Sequence, residues 1–136
     1  MSALADLQQF IIAAPALAAV VKDRVYPLLA EPGDVLPFIV YTKVSDTSIE
    51  THDGASGLDS IHVQFSCYAK SYEAADTLRG LLKTLLQGYT GTLTPGTTFV
   101  GNISYVTGRE TFESTTRVYC SMIEFTVWHS LSTTNP

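Results

Sequence analysis

Between Ser60 and Gly88 the hydrophobic period switches from two to a helical repeat within a few residues, and few architectures accommodate that junction. Ile61, Val63, Phe65 and Cys67 alternate with His62, Gln64, Ser66 and Tyr68, the pattern of a strand with one apolar face. After Ala69 and Lys70, Ser71 is placed to cap a helix by accepting from a first-turn amide, and Glu73 sits at the positive end of its dipole. Ala74, Ala75, Leu78, Leu81, Leu82, Leu85 and Leu86 then recur at helical spacing, and Gly88 is positioned to stop the helix. The stripe predicts a helix folded back onto the apolar face of the strand that precedes it.

Upstream, Ser2 can cap a first helix whose stripe runs through Leu4, Leu7, Ile11, Ala14, Leu17 and Val21. Proline is tolerated at the first helical position and costly in the interior, so Pro15 predicts two helical pieces meeting near Ala14. Lys22-Asp23-Arg24 reads as a polar hinge and Val25-Tyr26-Pro27 as an extended segment. Glu31-Pro32-Gly33-Asp34 is a turn signal. Phe38 to Val44, rich in β-branched and aromatic residues, predicts the first main strand, with Phe38, Val40, Thr42 and Val44 sharing a face.

From Ser45 to Asp59 the apolar signal disappears. Asp46, Glu50, His52, Asp53, Gly54, Gly57 and Asp59 occur with no Lys or Arg, which predicts a long acidic hairpin loop turning at Asp53-Gly54. Past the helix, Thr90–Leu93 and Thr98–Val100 are expected to pair across the Thr94-Pro95-Gly96 turn. Strands are expected over Asn102–Phe112 and Arg117–His129, joined by a polar turn at Glu113–Thr116. In the last strand Tyr119, Ile123, Phe125 and Val127 alternate with Cys120, Met122, Thr126 and Trp128. The order α-β-β-α-β-β predicts an α+β domain: an antiparallel or mixed four-stranded sheet with two main helices packed on it. A chain of 136 residues is one domain by size, expected over residues 1–130, with 131–136 a flexible tail.

With 15% charged residues the chain falls well short of the about 25% usual for soluble domains, as expected where copies or partners cover part of the surface. A net charge of -5, with eight scattered basic residues, argues against a general nucleic-acid binder. The longest apolar run, Phe10 to Val21, is 12 residues and contains Pro15, too short to span a bilayer. It lacks the basic start of a signal peptide, so a cytoplasmic site of synthesis is the expectation. Cys67 and Cys120 fall within strand patterns and read as buried free thiols, a disulfide being open only to neighbouring strands.

The search for chemistry returns little. His52, His62 and His129 are isolated, with no helical i, i+4 pair and no cysteine at metal-ligand spacing. His52 and Asp53 with Glu50 or Asp59 lack the alternating carboxylates of a calcium loop. Gly54 and Gly57 precede no Lys-Ser or Lys-Thr pair, and no Gly-x-Ser-x-Gly elbow occurs. No enzyme, cofactor or metal is expected.

The order of several short motifs carries more. Ala14-Pro15-Ala16-Leu17-Ala18-Ala19-Val20-Val21 leads to Arg24-Val25-Tyr26-Pro27, then to Leu36-Pro37-Phe38-Ile39-Val40-Tyr41 and Val44-Ser45. Val63-Gln64-Phe65-Ser66-Cys67-Tyr68-Ala69 precedes Ser71-Tyr72-Glu73-Ala74-Ala75, and Glu110-Thr111 precedes the strand around Arg117 to Val127. In this order, from about Leu4 to Trp128, the chain resembles the small tail-completion, or tail-terminator, proteins of long-tailed bacteriophages and prophages. It departs from them at Ala14, where an acidic residue is expected before the proline, and in the length of the acidic stretch.

That resemblance implies a virion protein assembled in the host cytoplasm. It would form a ring, usually hexameric, at the head-proximal end of the tail tube, ending tube polymerisation and joining the head-completion connector. Its partners would be copies of itself, the tail-tube protein and the connector, with genomic DNA passing unbound through the lumen. An acidic wall repels phosphate, so Asp46, Glu50, Asp53 and Asp59 are the candidates to line that lumen or to reach a neighbouring ring. The rivals are another neck, head-completion or tail component, and a small ligand-binding α+β domain using a pocket lined by Tyr26, Tyr41, Tyr68 and Tyr105.

Overall fold

The break at Pro15 is where the chain first turns. In the computed structural model, which describes residues 3–27, 35–51, 54–93, 98–113 and 118–130, helix α1 (Ala3–Ala13) and helix α2 (Pro15–Val21) meet at 87°. Ala14 between them is extended and Pro15 opens α2, where its missing N–H removes nothing from the helical ladder. Lys22, at φ 57, ends α2 and delivers the chain to a short strand, β1 (Val25–Pro27). Arg24 secures that turn, donating from Nε to the Pro37 carbonyl at 3.0 Å and from Nη2 to the Val20 carbonyl at 3.3 Å.

Strand β2 (Phe38–Thr51), strand β3 (Gly54–Ala69), helix α3 (Tyr72–Leu86), strand β4 (Gly91–Thr92), strand β5 (Phe99–Glu113) and strand β6 (Val118–Ser130) follow. They form one six-stranded sheet in the order β1-β2-β3-β6-β5-β4. β1 runs parallel to β2, and every other pair is antiparallel. The expected four-stranded sheet with two main helices in α-β-β-α-β-β order is therefore incorrect: the sheet has six strands, is mixed and curled, and carries three helices. The two extra strands span three and two residues, too short to show any period. The extra helix arises because Pro15 divides the first apolar stripe into two independent helices.

A second correction concerns the acidic stretch. Most of it is strand and not loop: β2 continues to Thr51 and β3 begins at Gly54, with Ser48 opposite Asp59 and Ile49 opposite Leu58. Alternation in sequence reports a strand only where one face is buried. Residues 45–59 carry no apolar alternation, so the sequence offers no period to report a strand there. The register slips at Val44, which stands in a bulge at 54% exposure and not in line with Phe38 and Val40.

The core lies between the helices and one face of the sheet. Ile39, Ile61, Val63, Phe65, Cys67, Ile103, Ile123, Phe125 and Val127 meet Leu7, Ile11, Leu17, Val21, Leu78, Leu82 and Leu86. Burying each large side chain contributes about 1.5–3 kcal/mol, and the Phe65 and Phe125 rings meet edge to face at 6.0 Å. α3 is capped as the residues predict: Ser71 Oγ accepts from the Ala74 amide at 3.1 Å. Gly88 takes φ 79 just past the helix end, a conformation that only glycine adopts without penalty. The pairing expected across residues 94–96 is also present, as Gly91 opposite Val100 and Thr92 opposite Phe99. The Thr94-Pro95-Gly96 turn itself, the Glu31–Asp34 turn and the 131–136 tail lie outside the described residues.

Two polar ties cross the core. Gln8 Nε2 donates to the Val25 carbonyl at 2.6 Å, and its Oε1 accepts from the Tyr41 hydroxyl at 2.9 Å. Asp6, on α1 and 1% exposed, accepts from both the backbone N–H and the hydroxyl of Thr98, at the entrance to β5.

Candidate interaction surfaces

The residues that sequence reasoning singled out do not converge on a catalytic centre. Asp46 lies opposite Ile61, Glu50 opposite Ala55 and Asp59 opposite Ser48, all within the β2–β3 hairpin arm. Asp53 and His52 lie outside the described residues. His62 is half-buried, with Nε2 3.1 Å from the Thr126 hydroxyl, and His129 is buried. Among the described residues, no group of three or more His, Cys, Asp and Glu side chains gathers closely enough to hold a metal ion.

Cys67 and Cys120 are free thiols on neighbouring strands, offset by one register position. Cys67 pairs with Ser121, and Cys120 with Tyr68. A one-residue offset places two side chains on opposite faces of a sheet, which is why proximity of the strands does not give a disulfide. Burial pushes the Cys67 thiol well above its ordinary range, with a smaller push from Cys120. Burial also raises Cys120, against hydrogen bonds from Tyr68, Thr111 and Ser66 that favour its ionised form. Neither thiol is an activated nucleophile.

The four tyrosines are likewise dispersed. Tyr26 and Tyr68 flank Phe38 on the face away from the helices, with ring centroids 5.9 and 5.0 Å from it. Tyr41 points the other way, toward Gln8. Tyr105 lies under α3, where Arg79 Nη2 donates to its hydroxyl at 3.0 Å and Lys83 Nζ sits 4.5 Å from its ring centroid. A shared pocket between sheet and helix is not formed by these residues.

What sequence reasoning missed is the edge of β5. Beyond Val100, no strand among the described residues pairs on its far side. The groove at this edge is lined by Arg79, Gly108, Arg109 and Glu110. Gly108 makes room for Arg79: a Cβ there would stand 2.7 Å from Nη2 and 3.1 Å from the Met122 carbonyl. Glycine inside a strand often marks such a close approach, and that was the available signal. Glu110 accepts from the Tyr72 hydroxyl and adds its own charge, together holding the Tyr72 proton on. The Phe112 and Tyr119 rings lie beside them with centroids 4.6 Å apart and planes tilted by 48°.

The opposite edge is free as well. β1 covers β2 only at Ile39, Val40 and Tyr41, so among the described residues β2 is unpaired on that side from Thr42 to Thr51. Of the six exposed large hydrophobics among the described residues, Val44, Phe99, Val106 and Phe112 lie on these two edge strands. Exposed apolar side chains on open sheet edges mark a surface made for pairing.

Comparison with known proteins completes this description. The model of the family described as tail completion protein gp17 matches residues 5–130. No curated protein matches the chain. Among solved structures, a chain of the virion of a native gene transfer agent particle superposes with a TM-score of 0.71, covering 95% of each chain at 15% identity. At that identity the likeness is one of fold.

Proposed function

The chain belongs to the tail completion protein gp17 family, a structural component of the phage tail, and from that premise we propose that it is the ring-forming terminator of the tail tube. On this reading residues 1–130 act as one domain, and copies of it close a ring, hexameric in the simplest case, at the head-proximal end of the tube. The ring stops tube polymerisation and offers its other face to the head-completion connector. The observation that carries the reading is a sheet that, among the described residues, leaves β2 beyond Tyr41 and β5 beyond Val100 without a strand partner at its opposite ends. A ring needs a heterologous contact, in which one patch meets a different patch on the next copy, and the two edges provide such a pair.

The acidic arm suits the same role. On this reading Asp46, Glu50, Asp53 and Asp59 would bring negative charge to the lumen wall or to an adjoining ring, and carboxylates repel phosphate. Light scattering across a concentration series tests the ring. A discrete multiple of the chain mass is expected, alone or with tail-tube protein added, and a strict monomer under both conditions overturns it. In the phage, loss of a terminator gives overlong tubes. Normal, unattached tails would instead assign the protein to head completion. Charge reversal of the arm is expected to impair assembly or DNA ejection.

A further inference from the structure

The helix side of the β5 edge carries a set of side chains that is complementary to itself. Gly108, Glu110 and Phe112 lie opposite Ile123, Ser121 and Tyr119 of β6, so they share the face on which α3 packs. Val106, in the bulge two positions before Gly108, follows the same alternation. Arg79 of α3 sits over Gly108 and donates from Nη2 to the Tyr105 hydroxyl at 3.0 Å, one of the five donors a guanidinium carries. Val106 and Phe112 are 43% and 44% exposed, and Glu110 between them is exposed as well. Among the described residues no strand covers this stretch. A long open edge with apolar side chains in water invites unwanted pairing unless something caps it.

A second copy can cap it by laying its own β5 antiparallel, about a two-fold axis normal to the sheet. Such an axis keeps both α3 helices on one side, so it passes through a residue position and not between two. An axis at Gly108 sets Arg79 against Arg79, and one at Glu110 sets carboxylate against carboxylate. With the axis at Arg109, Gly108 lies opposite Glu110 of the second copy, and each Arg79 meets a carboxylate. That same register puts Val106 opposite Phe112 at both ends of the contact. Directly opposed side chains stand about 4.5–5.5 Å apart at Cβ, close enough for both pairs to touch. The two Arg109 side chains meet on the other, exposed face, opposite Met122, where each lines a hollow with Glu124 and water screens their charge.

We propose that in the free protein the β5 edge is covered by the β5 edge of a second copy, in the register that sets Arg79 against Glu110 and Val106 against Phe112. The contact is isologous, one patch meeting itself. Val106 and Phe112 of both copies leave water together, which adds apolar burial to the strand hydrogen bonds. Glu110 keeps its bond from the Tyr72 hydroxyl, since a carboxylate accepts several donors. The proposal goes beyond the ring reading, because it concerns the protein before it reaches the tail. A copy that joins a ring must first release this edge, so the dimer keeps the edge from other strands until a ring contact replaces it.

Cysteine cross-linking reads the register in the full-length protein. Val106→Cys and Phe112→Cys are made singly, at exposed positions, while the native Cys67 and Cys120 are buried. In this register the two new thiols face each other only when the variants are mixed. Within either variant alone, equivalent positions stand six residues apart along the strands, about 20 Å. Under mild oxidation the expected result is a covalent dimer in the mixture and none in either variant alone. Charge gives an independent reading by light scattering. The wild type is expected at twice the chain mass and Glu110→Arg and Arg79→Glu each as monomer. Their equimolar mixture should return to twice the mass, because every contact is complementary again. Should circular dichroism show that Arg79→Glu is unfolded, Glu110→Arg and the cysteine pair decide. A monomeric wild type, charge variants that stay dimeric, or a mixture that does not cross-link would each overturn the contact, and a ring formed with tail-tube protein would leave the ring reading standing. A dimer that cross-links as expected but never grows when tail-tube protein is added would keep this contact and overturn the ring.

Discussion

Asp6 offers a quantitative test of how the helical layer is held to the sheet. Its carboxylate is 1% exposed and accepts from the Thr98 amide at 3.0 Å and from the Thr98 hydroxyl. The Thr98 carbonyl in turn accepts from the Leu93 amide at 2.8 Å. One side chain thus fastens α1 to the β4–β5 connection, across 92 residues of chain. A hydrogen bond to a charged group contributes about 1.5–3 kcal/mol, and a buried donor left without a partner costs about 1–3 kcal/mol.

Asp6→Ala removes the acceptor and strands two buried Thr98 donors, so roughly 3 kcal/mol is expected. An unfolding entropy of about 2.1 cal/mol/K per residue gives ~0.29 kcal/mol/K for 136 residues, and the midpoint should fall by about 10 °C. Asp6→Asn keeps an acceptor but not the charge and should lose about half as much. Thr98→Val removes only the hydroxyl. The double variant Asp6→Ala/Thr98→Val no longer buries that stranded hydroxyl, so it should cost less than the sum of the singles by about 1 kcal/mol. Scanning calorimetry of the four proteins measures each shift. An Asp6→Ala midpoint within about 3 °C of wild type, or singles that add within about 0.5 kcal/mol, would show that the bonds seen here do not hold the layers together.

Three further outcomes follow from the same structure. Leu82→Ala, at a fully buried position on α3, should destabilise by about 2–5 kcal/mol, while Thr84→Ala on the exposed side of that helix should stay within about 0.5 kcal/mol; urea denaturation of both separates packing from helix propensity. Ser71→Ala removes the cap to Ala74 and should cost about 1 kcal/mol, read as a lower melting midpoint that Ser71→Asp restores. The third concerns alkaline pH. The Cys67 thiol is held protonated by burial, so above the unfolded value of about 8.5 only the unfolded chain releases this proton and stability falls as pH rises. Cys67→Ala should therefore flatten the decline in melting temperature between about pH 8.5 and 10.5, and an unchanged slope would assign that decline to other groups.

The elements legible in the sequence are those that bury one face against the core. Ile61 to Cys67 alternates because one side of β3 is covered, and Leu78, Leu82 and Leu86 recur because α3 covers it. Ser71, Gly88 and Pro15 mark element ends because capping, positive φ and a missing N–H are properties of single residues. The arm was illegible for the complementary reason. Without apolar alternation in residues 45–59, a polar strand and a polar loop have the same composition.

The β5 edge was illegible for a different reason. Arg79 and Gly108 are 29 positions apart in the chain and neither carries a pattern, so only the packing of α3 across the sheet brings them together. Asp6 and Thr98 were equally silent: a lone acid in a helical stripe reads as solvent-facing until the fold buries it.

By itself, then, the order of short motifs determined the family, and the local periods determined where the central strand ends and where the helix after it begins and ends. Both are encoded in near neighbours and survive without knowledge of what lies across the sheet. Tertiary structure alone decided that six strands share one sheet, that the two thiols face opposite ways, and that Arg79 of α3 packs over Gly108 of β5. Those features depend on register and on which strands are left unpaired, quantities that exist only once distant segments have met.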